Sequence, residues 1–282
     1  MLPSTTRRKK RTTLFKSDLG PFKNHLAEQI FVQKYQHEFC ETWPKLAKTL
    51  VWEVCFDLLS HDEMETLCQY ITEMKFVPGG RYLYYAGRPI KAYNNCYLLK
   101  VEDTRESWAE LLHNAGSCLM SGGGIGVDYS AVRPSGLPLT RTGGISSGPI
   151  SLMQMVNEVG RHVMQGGSRR SAMWAGLNWQ HGDIEAFLGA KNWTKKIRRL
   201  KAEDFNFPAP LDMTNISINW DDDFLSMIKE LPAFGEARIK QEGAITGIPD
   251  IWYDSVKRMC KTGEPGHAYN FGEQKNDTLR NA

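Results

Sequence analysis

The sequence is organised around Asn94-Asn95-Cys96-Tyr97 and the glycine-rich turns that follow it: Gly122-Gly123-Gly124-Ile125-Gly126, Gly143-Gly144-Ile145-Ser146-Ser147-Gly148 and Gln165-Gly166-Gly167-Ser168-Arg169-Arg170. Glycines let backbone N–H groups approach anionic oxygens closely, and a following helix N-terminus adds a favourable dipole. With a cysteine upstream and an arginine pair at the end, the pattern predicts a site for a phosphorylated substrate and for thiol chemistry.

The composition is that of an ordinary globular protein. The chain has 282 residues, of which 41% are hydrophobic and 24% charged, and its net charge of +3 is too small to indicate a nucleic-acid partner. No apolar run approaches the ~20 residues needed to span a bilayer, and the start lacks the apolar core of a signal peptide. We therefore expect neither a membrane nor a nucleic acid as a partner.

The six cysteines are scattered without CxxC or CxxxC spacing. This argues against a zinc site and against a secreted disulfide scaffold. We expect reduced thiols and a cytoplasmic location, or the host cytoplasm if the protein is viral. His162 and His181 have no companions at metal-ligand spacing, so no metal site is predicted.

Three regions follow one another along the chain. Residues 1–20 contain Arg7-Arg8-Lys9-Lys10-Arg11, which reads either as a flexible solvated tail or as a localisation signal or nucleic-acid arm. Residues 21–75 have apolar side chains at three- and four-residue steps, which predicts a helical region. In residues 76–282 short apolar stretches alternate with glycine turns and helical segments, which is typical of an α/β architecture with covered strands.

Individual elements can be predicted within the α/β region. Short apolar stretches run from Arg81 to Tyr85, from Cys96 to Val101 and from Gly126 to Tyr129, and Met213 to Ile218 alternates like a strand. Helices are predicted from Leu152 to Val163 with Ser151 as the N-cap, from Asp183 to Leu188, and from Phe224 onward with an aspartate of 221–223 as the cap.

Two polar positions each allow two interpretations. Cys96 begins an apolar strand, and it is either a buried strand cysteine or a redox cysteine that faces a phosphate-binding pocket. A redox cysteine needs a second thiol, and none lies at short spacing. Glu102 and Asp103 are either caps for a helix that begins near Arg105 or carboxylates that hold a ribose hydroxyl.

The second half of the central stretch combines cations and aromatic rings. Arg169-Arg170 suits contact with a phosphate or a base better than core packing, and a surface salt bridge is also open. The aromatic side chains that follow are irregularly spaced, which favours core positions over a base-stacking platform; they are Trp174, Trp179, Phe187 and Trp193.

A series of motifs occurs in one order from roughly residue 40 to the end. They are Phe76-Val77-Pro78-Gly79-Gly80-Arg81, Asn95-Cys96, Gly122 to Tyr129 with Arg133-Pro134, Thr142 to Pro149, Gln165 to Arg170, Leu177 to Ile184, Lys191-Asn192-Trp193 and Gly263-Glu264-Pro265-Gly266. In this order they resemble the catalytic chain of ribonucleotide reductases, and within that family most of all the adenosylcobalamin-dependent class II enzymes.

The resemblance implies a fold and an active site. The fold would be a helical N-terminal region followed by the first half of a ten-stranded α/β barrel, an incomplete barrel. Cys96 would be the first cysteine of the pair that reduces the ribonucleotide as it loses its 2′-hydroxyl. The substrate would be bound by Asn95, by Gly79 and Gly80, by the Gly124-Ile125 turn and by Arg169. A thioredoxin-like protein would restore the thiols.

The resemblance also implies a regulatory site that binds a deoxynucleoside triphosphate effector. Asp103, seven residues after Cys96, would read the effector, and the stretch from Arg133 to Gly148 would form the first specificity loop. The second loop would run from Gln165 to Ala172, with Gln165, Gly166, Gly167 and Ser168 as effector-binding residues.

The C-terminus departs from the family pattern. Asn281 matches the asparagine of the Asn-x-Cys-x-Glu motif, but the radical cysteine, its glutamate, the second redox cysteine and the second half-barrel have no counterpart in this sequence. We therefore expect a C-terminal half, joined by splicing or encoded separately, and poor solubility of the unpaired half-barrel alone. The alternatives are a fragment of a class I large subunit and a non-catalytic remnant that binds deoxynucleotides.

Overall fold

The computed structural model describes residues 15–141, 143–165, 169–204, 206–230 and 248–272. The chain divides into two compact units, Met1–Asn94 and Asn95–Ala282. Most of the basic tail predicted for residues 1–20 lies outside the described residues.

The first unit is helical, as predicted for this region. Its helices are α1 (His25–Lys34), α2 (Trp43–Cys55), α3 (His61–Thr72) and α4 (Gly80–Tyr85). Helix α3 begins with a capping box, because Ser60 and Glu63 satisfy each other's backbone N–H groups. The core of this unit is built around the buried rings of Phe31 and Trp43, and it includes the buried thiols of Cys40 and Cys68.

The stretch from Arg81 to Tyr85 is not a strand. It forms the short helix α4, which begins after Gly79 and packs Leu83 into the helical core. A stretch of five residues with arginine and three tyrosines has no period long enough to separate a helix from a strand, so the sequence signal was ambiguous there.

The second unit is an α/β structure with a parallel sheet. Its elements in chain order are β1 (Cys96–Leu99), α5 (Arg105–Met120), β2 (Gly124–Asp128), α6 (Gly148–His162), β3 (Met164–Gln165), β4 (Arg169–Arg170), β5 (Met173–Asn178), α7 (Ile184–Gly189), α8 (Lys195–Glu203), β6 (Thr214–Asp221), α9 (Asp222–Glu230), α10 (Ile248–Thr262) and β7 (Gly266–Asn270). Within the described residues, five of these strands form one sheet in the order β1-β2-β5-β6-β7, and every pair is parallel.

The two faces of this sheet differ in chemistry. On one face alternate residues of β2, β5 and β6 enter a single apolar core together with side chains of the helices, among them Leu111 and Leu119 of α5 and Leu152 of α6. Trp220, at the end of β6, is fully buried in that core. We call this the helix-packed face. Strands of a parallel sheet with helices on one face and a barrel interior on the other have this two-sided pattern.

Two predicted helix caps are wrong for local reasons. Helix α6 begins at Gly148, before the predicted Ser151, because Pro149 suits the first turn and a positive φ at Gly148 turns the chain into the helix. The hydroxyl of Ser151 instead donates to the carbonyl of Ser147 at 2.9 Å. Helix α5 is capped by Thr104, whose side chain accepts from the N–H of Ser107 at 3.1 Å, and not by Glu102 or Asp103.

A buried carboxylate ties the end of α6 to the loop that precedes β6. The side chain of Asp212 is completely buried, and its carboxylate accepts from Arg161 Nη1 at 2.8 Å and from Lys201 of α8. Asn157 donates to the same carboxylate at 3.2 Å and accepts from the N–H of Met213 at 3.0 Å. Burial opposes ionisation of Asp212, but these donors outweigh it and lower its pKa from 3.8 to about 2.

We expect Asp212→Asn to destabilise the protein in a pH-dependent way. Because the pKa of Asp212 is depressed on folding, the stabilisation is present above pH 4 and is lost as the pH falls toward about 2. The free energy of unfolding should fall by roughly 2 kcal/mol at pH 6, and the deficit should shrink toward pH 2. Urea titrations across this range provide the measurement.

Glu203→Gln is the matched control, because Glu203 lies on α8 and its ion pair with Arg199 is exposed. Such pairs contribute little, so this variant should follow the wild type at every pH. A constant deficit for Asp212→Asn from pH 2 to pH 6 would contradict the proposed ionisation.

Candidate functional site

The candidate site lies on the sheet face opposite to the helix-packed face. We call it the polar face, and it carries Cys96, Gly124, Gly126, Trp174, Gly176, Ser217 and Asn219. The strand register and the close approach of side chains to the glycines join these residues into one surface. A Cβ placed on Gly124 would lie 3.7 Å from Cys96 Sγ, and one placed on Gly126 would lie 3.5 Å from Trp174 Cε3.

Cys96 begins β1 at one edge of this face and is exposed. The interpretation as a buried strand cysteine is therefore wrong. Its register partner on β2 is Gly124, and the N–H of Gly124 donates to the carbonyl of Asn95 at 2.7 Å. The structure thus brings together Asn95, Cys96 and Gly124 at the amino ends of the first two strands.

Ile125 lies on the other side of the sheet. Its N–H donates to the carbonyl of Ala172 at 3.0 Å, and its side chain is buried in the helix-packed core. The side chain of Ile125 therefore points away from the predicted substrate, and only its backbone could contact it. The close packing of the preceding turn depends on glycine, because a Cβ on Gly123 would lie 2.2 Å from the ring of Tyr97.

The middle of the polar face contains Trp174, for which the predicted core position is wrong because its half-buried indole lies on this face, together with Ser217 and Asn219, which the sequence analysis did not single out. The indole N–H of Trp174 donates to the hydroxyl of Ser217 at 2.8 Å across β5 and β6. Asn219 is 8% exposed, and its Oδ1 has no hydrogen-bond partner among the described residues. The signal for these residues was present, because Asn215, Ser217, Asn219 and Asp221 alternate with the apolar residues of β6.

A hydrogen-bond network connects the carboxyl ends of β5 and β6. Asp221 accepts from Asn178 Nδ2 and from the indole N–H of Trp179, each at 2.8 Å, and from the N–H of Phe224 at 3.1 Å. Burial opposes ionisation of Asp221, but these donors lower its pKa overall. This confirms the predicted aspartate cap, which is Asp221. The helix begins at Asp222, and not at the predicted Phe224.

Asp103 and Arg133 form an ion pair at the same end of the sheet. Arg133 Nε lies 2.6 Å from Asp103 Oδ2, and each side chain is about one-third exposed, at 33% and 31%. The loop after β2 is held further by Asp183, which accepts from the N–H of Ser135 at 2.9 Å. Two residues predicted to bind the effector are thus neighbours, although thirty residues separate them in the sequence.

The remaining predicted residues are distributed over three places. Gln165 and Arg169 are register partners in the antiparallel pair β3–β4, which follows α6; Gly166, Gly167 and Ser168 lie outside the described residues. Gly79 and Gly80 belong to the first unit, where they start α4. Asn281 lies outside the described residues.

The described part of the chain has neither a metal-binding cluster nor a membrane-spanning helix. No group of three or more His, Cys, Asp and Glu side chains there could hold a metal ion. His181 instead bonds through Nε2 to the carbonyl of Val132 at 2.7 Å. Within the same residues no helix has the length and apolar character needed to cross a membrane.

The fold and the site together define a class of protein. Its members have an α/β barrel-type sheet with one helix-packed face and one polar face, and the polar face presents a thiol. The family model described as "Ribonucleotide reductase, barrel domain" matches residues 94–269. The chain belongs to the ribonucleotide reductase family.

Relatives with assigned names are similar over part of their length. The chain is 29% identical over 200 residues to the vitamin B12-dependent ribonucleoside-diphosphate reductase of Thermoplasma acidophilum, covering 70% of this chain and 24% of that protein. It is 27% identical over 201 residues to the ribonucleoside-diphosphate reductase large subunit of Vaccinia virus, covering 71% and 24%. The chain thus spans about a quarter of the length of these relatives.

A solved structure has the same fold. The class Id ribonucleotide reductase alpha subunit of Actinobacillus ureae superposes with a TM-score of 0.64 at 15% identity, over 88% of this chain and 40% of that one. The predicted α/β fold with an incomplete barrel is therefore confirmed.

We expect Gly176→Ala to perturb the polar face. A Cβ on Gly176 would lie 2.3 Å from Trp174 Cη2 and 2.9 Å from Asn219 Nδ2, so the indole must leave its bond to Ser217. The expected cost is about 1–3 kcal/mol in the free energy of unfolding, with a change in tryptophan fluorescence. Gly189→Ala is the control, because a Cβ there meets no atom within 4 Å. Equal stability of the two variants would contradict the packing described for Trp174.

Proposed function

We propose that this chain is the N-terminal part of a ribonucleotide reductase catalytic chain, most like the vitamin B12-dependent class II enzymes, and that it reduces ribonucleotides together with a C-terminal complement. The observation that carries the proposal is the exposed thiol of Cys96 on the polar face, beside the backbone of Asn95 and Gly124. The names of the relatives favour a ribonucleoside diphosphate as the substrate.

In this proposal Cys96 is one of two reducing thiols. The pair becomes a disulfide and delivers two electrons and two protons, while the 2′-hydroxyl leaves as water. A thioredoxin-like reductant then restores the pair by thiol–disulfide exchange. The accessible position of Cys96 at a strand end supports this role, since exchange requires access to the sulfur. Reduced thiols of this kind fit a cytoplasmic location.

The polar face has the properties that a substrate site requires of this part of the chain. Gly124 and Gly126 place no side chain above the strands, and the Trp174 indole lies over Gly176. Ser217 and Asn219 offer hydrogen-bonding groups beside that indole. The unpartnered Oδ1 of Asn219 is an acceptor suited to a hydroxyl group. We propose that these groups orient the ribose, with Arg169 contributing from the segment after β3.

We further propose that Asp103 and Arg133 belong to the effector site. Their ion pair holds the carboxylate at the rim of the loop that follows β2. An effector with a free ribose hydroxyl would hydrogen-bond to Asp103, and its phosphates would draw Arg133 away from that partner. Gln165, Gly166, Gly167 and Ser168 would carry the identity of the effector toward the substrate site.

The complement would supply the radical cysteine, its glutamate, the second reducing cysteine and the other half of the barrel. The support is that the chain spans only about a quarter of the length of the reductases it resembles.

The names of several relatives imply adenosylcobalamin, which would supply the radical that starts the reaction. In this proposal the polar face serves the substrate, and we assign most contacts of the cofactor to the complement or to its junction with this chain.

A class I large subunit is the second candidate. The similarity to the Vaccinia large subunit and the superposition on a class Id alpha subunit favour it. It would take its radical from a partner protein. The completed enzyme separates the two, because only the class II form requires added adenosylcobalamin.

We expect Cys96→Ser to abolish turnover in the completed enzyme. Serine cannot form a disulfide, so deoxyribonucleotide formation should fall at least about a hundredfold. The measurement is conversion of labelled ribonucleoside diphosphate by the chain joined to or co-expressed with its complement, with and without adenosylcobalamin. Cys260→Ser is the control, since Cys260 is exposed on α10 and should tolerate the change. Full activity of Cys96→Ser would refute the proposed role.

We expect Asp103→Asn to weaken binding of the deoxynucleoside triphosphate effector by about tenfold, because a charge-assisted hydrogen bond is lost. Isothermal titration calorimetry on the completed enzyme provides the affinity. Glu102→Gln is the control, because Glu102 is exposed and forms a surface ion pair with Lys100. If both variants bind the effector equally well, Asp103 does not read it.

A further inference from the structure

A cleft with basic walls lies on the helix-packed side of the sheet. Its volume is about 430 Å³, and Lys191, Trp193, Arg198, Arg258, Lys261 and Glu264 line it. Ile216 lines it as well, and the side chain of Ile216 lies in the helix-packed core. We call it the basic cleft. The sheet separates it from Cys96 on the polar face, so it belongs neither to the thiol nor to the Asp103–Arg133 pair.

Two of its cations are held by protein groups. Lys191 Nζ lies 2.7 Å from the carboxylate of Glu264 and donates to the carbonyl of Thr214 at 2.8 Å. Arg258 Nε lies 2.6 Å from Asp254 Oδ2, and its Nη1 donates to the carbonyl of Leu188 at 3.1 Å. These contacts fix both side chains on the wall of the cleft.

Among the described residues, the other two cations have no such partner. Arg198 and Lys261 are exposed, and neither forms an ion pair with a carboxylate in the described part of the chain. Lys191 pairs with Glu264, and Arg258 pairs with Asp254. Within the described residues, the positive charges of Arg198 and Lys261 are therefore uncompensated in the same concavity. Cations on a convex surface are simply solvated, but converging cations in a concave, partly apolar wall raise the local concentration of anions.

The aromatic wall adds a second feature. The indole N–H of Trp193 donates to the carbonyl of Pro210 at 2.9 Å, which fixes the ring in place while the side chain stays half-buried. The Trp193 ring therefore lies beside several cationic side chains of the cleft. Such a combination can bind phosphorylated ligands, because the cations contact phosphate oxygens and the ring contacts a base or a sugar.

We propose that the basic cleft is a binding site for a polyphosphate chain, either free or as part of a nucleotide. Lys191 and Arg258 are the fixed contacts, and Arg198 and Lys261 close on the ligand from α8 and α10. The proposed site uses no group of the polar face. It would bind its ligand whether or not the chain reduces ribonucleotides.

The test is calorimetric titration of the full 282-residue chain with inorganic tripolyphosphate. Arg198→Gln combined with Lys261→Gln should weaken binding about tenfold, because two cationic contacts are lost. Lys195→Gln combined with Lys196→Gln is the control, since these exposed lysines lie on the same α8 outside the cleft. The control should bind like the wild type, and affinity should fall when salt is raised from about 50 to about 300 mM.

A further arm identifies the ligand. ATP that binds more tightly than tripolyphosphate, with the difference lost in Trp193→Leu, would identify a nucleotide; equal affinities would identify the phosphate chain alone. Equal weakening by the cleft and control pairs would overturn the proposal.

Discussion

The structure of the second unit depends on one constraint: each strand of the parallel sheet must bury alternate residues against helices on the same side. Ile125, Ala175 and Ile218 satisfy it on neighbouring strands and share one apolar core. Because side chains alternate, their neighbours must all face the other way, and a slip of one residue would exchange the two faces. The position of the Cys96 thiol is a consequence of this burial, since the same register that buries Tyr97 and Leu99 turns Cys96 outward.

Much of this organisation could be predicted from the sequence, because it rests on local patterns. The helical first region, the strand that begins at Cys96 and the aspartate cap before Phe224 follow from periodicity and capping chemistry. The failures lie where two residues compete for one local role. Thr104 caps α5, and Asp103 instead pairs with Arg133, thirty residues away. No local pattern distinguishes these outcomes.

The candidate site was predictable in part for the same reason. Cys96 and Gly124 were singled out from glycine and thiol chemistry, and their contact follows from parallel register. The bond between Trp174 and Ser217 and the unpartnered Asn219 depend on which strands become neighbours, which periodicity alone does not state. The buried carboxylate of Asp212 was missed because its partners come from α6 and α8, far apart in the sequence. The roles of single residues were predicted from the resemblance to ribonucleotide reductases, because the sequence patterns alone left these roles open.

The order of the strands in the sheet has a consequence for how the protein is made. Since β1, β2, β5, β6 and β7 are neighbours in the order in which they occur in the chain, each new strand finds its partner already synthesised. Nascent chains emerge N-terminus first, and contacts between near neighbours in sequence require the smallest loop closures. The sheet can therefore grow at one edge during translation, with each connecting helix covering the strand pair just completed. At every stage the newest strand forms the growing edge, and within the described residues that strand is β7, with Tyr269 exposed.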